Sequence, residues 1–296
     1  MSRRKVSNYD FLSRYNYFVP GWPEIIIILA LLLAGAVIGS LVNVLFTLVA
    51  GQDSLDAATL VSYPFMFIPA MIYASSRSRR NRMTRGGVAL DSNNFGRYGF
   101  WLCAVLAMLM TIALGICSDP VNALLPPMPE WLESALGSMT RGTLWINFVC
   151  VSIFAPVFEE WLCRGMVLRG LLAGGTKPFW AIVLSALFFA LIHLNPWQAV
   201  PAFILGCAFG YVYYRTGSLR LTMLMHFANN TLALVLSNID SLRDAEGWME
   251  IMPGNLFWIC AAAALLLTVL AARVFRRIPL ASEKGSCDSL PSMFDE

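Results

Sequence analysis

Residues 25–50 contain no Asp, Glu, Lys or Arg, and the run exceeds the roughly 20 residues with which an α-helix crosses a bilayer. Inside lipid every backbone N–H and C=O must find a partner within the protein, which leaves helices and closed barrels as the spanning structures. Seven more apolar stretches follow, at residues 57–75, 98–117, 143–172, 178–193, 197–214, 219–236 and 256–274. Their lengths fit spanning helices. Only 13% of the chain is charged, about half the share usual in soluble domains. The expected fold class is all-α: a polytopic membrane helix bundle of about eight transmembrane helices.

The charges between the stretches orient them. Arg3, Arg4, Lys5 and Arg14 precede the first stretch, and Arg77, Arg79, Arg80, Arg82 and Arg85 follow the second. Arg215 and Arg220 flank the sixth junction, and Arg273, Arg276 and Arg277 end the eighth. Asp53 and Asp56 sit in the first loop, while Asp240, Asp244, Glu246 and Glu250 outnumber Arg243 after the seventh stretch. Basic loops favour the cytoplasm, so eight crossings with both termini inside place every basic cluster on one face. Arginines beside spans read as orientation signals and contacts to membrane lipids, and no nucleic-acid partner is expected. The expected membrane is the bacterial cytoplasmic membrane, with the oligomeric state undefined.

The organisation expected from these signals is a cytoplasmic N-terminal segment 1–23, three helices with their loops in 24–142, and a core of four helices in 143–238. An outer loop and the last helix occupy 239–277, and a Ser- and Pro-rich disordered tail occupies 278–296. Residues 118–141, with four prolines, read as an interfacial loop, although 130–136 has the pattern of a short amphipathic helix. The seven cysteines show neither zinc-knuckle nor redox spacing, and read as small apolar residues.

Two carboxylates and a guanidinium interrupt the fourth stretch: Glu159, Glu160 and Arg164. An unpaired charge at the bilayer centre costs roughly 2.5–3.5 kcal/mol on insertion scales, so such residues are functional candidates. Glu160 and Arg164, four apart on a helix, share a face and can pair, which leaves Glu159 turned away for other work. His193 and His226 are the two histidines of the chain, each in an apolar stretch. Asn230 lies one turn beyond His226 as a possible imidazole partner, and Phe189 one turn before His193. With a rise of about 1.5 Å per residue, Glu159 lies about 20 Å before the glycine turn at 173–177 and His193 about 22–24 Å after it. His226 and Asn230 fall about 10–20 Å deep, so these groups can meet in one layer. A carboxylate, two imidazoles and an amide suit amide hydrolysis: Glu159 as general base, His193 positioning water, His226 and Asn230 at the oxyanion.

Glu159-Glu160-x-x-x-Arg164, Phe189-x-x-x-His193 and His226-x-x-x-Asn230, in this order, resemble the CPBP family of intramembrane proteases. That family includes type II CAAX prenyl endopeptidases and bacteriocin-processing or immunity (Abi-like) proteins. The resemblance covers about residues 145–237. It implies Glu159, His193, His226 and Asn230 as catalytic residues supported by Glu160, Arg164 and Phe189, and a peptide or lipidated-protein substrate. The cofactor stays open: a divalent metal such as zinc, held by Glu159, His193 and His226, or a metal-free glutamate mechanism. An immunity or partner-binding protein on the same fold is the alternative. A proton-relaying transporter predicts related halves, whereas the charges cluster in one half. Serine and aspartyl mechanisms lack their Gly-x-Ser-Gly and Gly-x-Gly-Asp segments.

Overall fold

The computed structural model describes residues 11–280 except 52–53, 85–86, 243–244, 246 and 253. Arg3, Arg4, Lys5, Asp53, Arg85, Arg243, Asp244, Glu246 and the tail from 281, with Cys287, lie outside the described residues. Among those described every regular element is helical: α1 (Trp22–Ala50), α2 (Leu55–Ser62), α3 (Ile68–Asn81), α4 (Gly99–Asn122), α5 (Glu130–Arg141) and α6 (Leu144–Ala173). After these come α7 (Pro178–Leu191), α8 (Pro196–Thr216), α9 (Leu219–Ser237), the single turn α10 (Trp248–Ile251) and α11 (Asn255–Arg276). Five segments are long and apolar enough to cross a membrane: α1, Leu55–Asn81, α4, α6 and α11. The other three expected stretches are helical too: α7 is short, and α8 and α9 carry the polar residues described below. The molecule is a polytopic membrane helix bundle.

Side-chain burial follows from where lipid lies. On α1 the residues turned inward are Ile25, Ile28, Leu32, Gly35 and Gly39, spaced alternately three and four apart, which is one seam of a helix. The opposite face leaves Leu33, Val37, Leu41, Leu45 and Leu48 exposed. Exposure of this extent would be a liability in water and is the expected surface toward acyl chains. Trp22, Trp101, Trp180 and Trp258 are exposed at or near helix ends, where amphipathic rings settle at the headgroups. One core joins the 11–18 segment, α1, α3, the second half of α6 and α7; the other joins α4, α8, α9 and α11.

One expectation changes, and two flanking segments pack onto the bundle. Residues 130–141 form the twelve-residue helix α5 rather than an interfacial loop: Pro129 opens it and Glu130 and Glu133 fall in its first turn, where carboxylates favour the helix dipole. The N-terminal stretch is built into the bundle, with Leu12, Tyr15 and Phe18 buried. Fully buried Arg169 holds it, donating to the carbonyls of Tyr15 and Phe18 and to that of Val88 at 3.0 Å. Burial pushes the Tyr15 phenol up to about 12. At the other end Ile278 is fully buried, its carbonyl accepts from Arg215, and Asn94 Nδ2 donates to the Pro279 carbonyl at 2.7 Å. The first tail residues therefore pack against the bundle.

Candidate active site

Helix α6 carries the carboxylates, and its backbone departs from α geometry on both sides of them. Phe148–Phe154 and Trp161–Leu168 are π-helical, flanking the α-helical turns Ala155–Glu160. In the first π segment the Ala155 N–H donates to the Cys150 carbonyl, so each carbonyl looks five residues ahead. The next carbonyl, Val151, looks to Pro156, which has no N–H. Asn230 Nδ2 fills that vacancy from α9, donating to the Val151 carbonyl at 2.9 Å. Asn230 thus spends a donor on the backbone of α6 instead of partnering His226, and its Oδ1 accepts from Asn229 at 3.1 Å.

The imidazole of His226 finds its partner on α6. His226 Nδ1 lies 3.2 Å from Glu160 Oε1, and Arg164 Nη1 donates to that same oxygen at 2.7 Å. Glu160 and Arg164 are both fully buried and form the i,i+4 pair expected from their spacing. The second guanidinium nitrogen, Nη2, donates to the Gly206 carbonyl at 2.9 Å. The cation lies 4.7 Å from the ring centre of Phe189 and 5.3 Å from that of Phe209, which adds cation–π attraction in a dry site. A Cβ on Gly206 would lie 3.2 Å from Phe189 Cδ1 and 3.1 Å from Ala186 Cβ, so glycine lets α7 and α8 close around the guanidinium.

A carboxylate engaged by Arg164 can only accept, so the imidazole proton resides on Nδ1 and Nε2 faces the other way. There it meets Glu159: His226 Nε2 and Glu159 Oε2 are 3.9 Å apart, beyond a direct hydrogen bond. The Glu159 side chain is 15% exposed, against 0% for Glu160. Adjacent carboxylates thus differ in kind. Glu160 is locked under His226, whereas Glu159 is the one that reaches open space.

Glu159 is not free, however. Tyr63, from the 3-10 turn Tyr63–Met66 between α2 and α3, donates its phenol to Glu159 Oε1 at 3.0 Å. The sequence offers one signal for this contact, the break at Pro64 and Pro69 in an apolar stretch; a tyrosine there otherwise reads as an interfacial aromatic.

His193 lies in the turn after α7 rather than within a span: Leu191 ends the helix, and Leu194 adopts a positive φ of 57°. Its Nδ1 points to the Phe189 carbonyl at 2.8 Å, which makes Nδ1 the protonated nitrogen and leaves Nε2 as acceptor. Phe189 meets the His193 ring edge-to-face at 5.1 Å and the His226 ring at 5.4 Å. The two imidazoles therefore share a buried aromatic spacer. Asn195 caps α8 through Gln198 N and donates to the His193 carbonyl at 2.9 Å, which fixes the turn.

Among the described residues no three His, Cys, Asp or Glu side chains gather in a way that would hold a metal ion. Glu159 and His226 stand 3.9 Å apart, and His193 turns one nitrogen to a backbone carbonyl. What they offer is a carboxylate oxygen opposite an oriented imidazole.

Comparison with known proteins converges on the same segment. Residues 141–232 match the family described as type II CAAX prenyl endopeptidase Rce1-like. The UPF0177 protein YaiF of Lactococcus lactis subsp. lactis is 36% identical over 90 residues, which make up 30% of this chain and 39% of that protein. The match thus spans about two fifths of the relative's length, and no solved structure matches. Residues 141–232 hold the glutamate pair, Arg164, Phe189, both histidines and Asn230, and over that segment the chain is similar to the Rce1-like type II CAAX prenyl endopeptidases.

Proposed function

We propose that this chain is an intramembrane endopeptidase that hydrolyses a peptide bond in a membrane-associated or lipidated peptide or protein. The observation that carries the reading is the facing of Glu159 Oε2 and His226 Nε2 at 3.9 Å, with Glu160 holding the far side of the imidazole. Glu159 takes a proton from water, and the water oxygen bonds to the scissile carbonyl carbon. His226 in its imidazolium form donates Nε2–H to the resulting oxyanion, and Glu160 balances that cation through Nδ1–H. Glu159 then gives its proton to the amide nitrogen as the C–N bond breaks, which releases an amine and a carboxylate. His193 presents an acceptor nitrogen for positioning the water, and Asn230 keeps α6 and α9 in register beside it. The family resemblance supports a protease, and membrane helices on every side favour a substrate that arrives through or along the bilayer. The arrangement of basic loops favours eight crossings with both termini on the inner side of a bacterial cytoplasmic membrane.

The test is hydrolysis by the full chain in proteoliposomes, read by mass spectrometry on a quenched peptide library that includes lipidated members. Removing a general base costs about 10²–10⁴-fold, so Glu159→Gln is expected to lose cleavage by at least a hundredfold while its melting temperature stays close to wild type. Undiminished cleavage in that variant would contradict the reading. Function in cells that survives Glu159→Gln would instead favour an immunity or partner-binding protein.

A further inference from the structure

We propose that Tyr63 is a positioning residue of the hydrolytic site: its phenol fixes Glu159 so that one carboxylate oxygen is occupied and the other faces His226. This rests on the hydrolytic reading of Glu159. The phenol donates to Oε1 at 3.0 Å while Oε2 is the oxygen opposite His226 Nε2. A carboxylate has two nearly equivalent oxygens and rotates between them, and in an aqueous pocket water would fill either. A single half-buried donor on one oxygen restricts that freedom and selects which lone pairs meet the reacting water. Tyr63 lies outside residues 141–232, so the part of the chain that resembles the endopeptidases does not contain this contact.

The backbone that carries Tyr63 is built for the purpose. The chain tightens into a 3-10 turn over Tyr63–Met66, followed by Pro69 in the first turn of α3. That turn nests against α1 where two glycines lie four apart. A Cβ on Gly35 would collide with the Met66 carbonyl, and one on Gly39 would sit 3.1 Å from the Ser62 carbonyl oxygen. The ring is then flanked by Phe67, Phe154 and Phe158, with centroids at 5.9, 6.4 and 6.5 Å. Aromatic packing sets the plane of the ring and the glycine seat sets its height, so the hydroxyl arrives at Glu159 with little freedom left.

Tyr63→Phe keeps the ring packing and removes only the donor. In proteoliposomes, on a peptide cleaved by wild type, kcat is expected to fall about tenfold or more with KM within about twofold, as for loss of a charge-assisted hydrogen bond. A substrate-free readout stands beside it. The phenol C–O infrared band of Tyr63, isolated as the difference between wild type and Tyr63→Phe, is expected to move when Glu159→Ala removes the acceptor. Gly35→Ala, which touches neither Tyr63 nor Glu159, is expected to move the same band and lower kcat by displacing the turn. An unmoved band in Glu159→Ala, or wild-type kcat in Tyr63→Phe, overturns the proposal. Cleavage that survives Glu159→Gln would defeat the hydrolytic reading instead, so the two failures are separable.

Discussion

Arg164 shows how this protein accommodates charge where water is scarce. A buried ion pair gains little over apolar packing, yet removing one partner costs about 3–5 kcal/mol because the other charge is stranded. Arg164→Met is therefore expected to lower the stability of the detergent-solubilised protein by about 3–5 kcal/mol, read by thermal or denaturant unfolding. Arg164→Met with Glu160→Gln removes the stranded charge and is expected to regain much of that loss. Activity should not return, because His226 Nδ1 then faces an amide instead of a carboxylate. Equal stability of the single and double variants would show that Glu160 does not depend on Arg164. The pair was legible from the i,i+4 spacing alone. The engagement of His226 by Glu160 was not, because spacing along one helix says nothing about which residue of another helix faces it, and Asn230 looked the nearer partner.

At the scale of elements, the π-helical stretches of α6 explain why Asn230 sits where it does. Proline at 156 and a π register together leave the Val151 carbonyl without a backbone donor, and Asn230 supplies one. Asn230→Ala is expected to cost about 1–3 kcal/mol, as for an orphaned buried polar group. Adding Pro156→Ala restores an N–H five residues beyond Val151 and should recover stability in the double variant. Unfolding curves of the two variants check this, and no recovery would mean that Asn230 acts on something other than the carbonyl. Apolar periodicity could not reveal the π register, since a long hydrophobic run looks alike in either helix. For the same reason the 3-10 turn that aims Tyr63 was visible only as two prolines, and the glycine seat on α1 only as small residues in a greasy helix. Helix α5 was hidden behind the prolines that precede it, which argued for a loop.

For the molecule as a whole, the apolar stretches announced a helical membrane bundle, and the charges within them marked the layer where chemistry is possible. Lipid makes each buried polar group conspicuous, so the sequence exposed the glutamates, the arginine and the histidines more plainly than a soluble core would. The packing of residues 11–18 and 278–279 onto the bundle escaped notice because short polar and aromatic flanks carry no periodic signal. In the proposed reaction two side chains from separate helices act as one unit on a single water. The measurement that addresses this most directly is a double-mutant cycle on hydrolysis in proteoliposomes, with Glu159→Gln, His226→Ala and both together. Groups that act as a unit are strongly non-additive, so each single variant should lose nearly as much rate as the double. Losses that simply multiply, or a Glu159→Gln variant that cleaves like wild type, would contradict it.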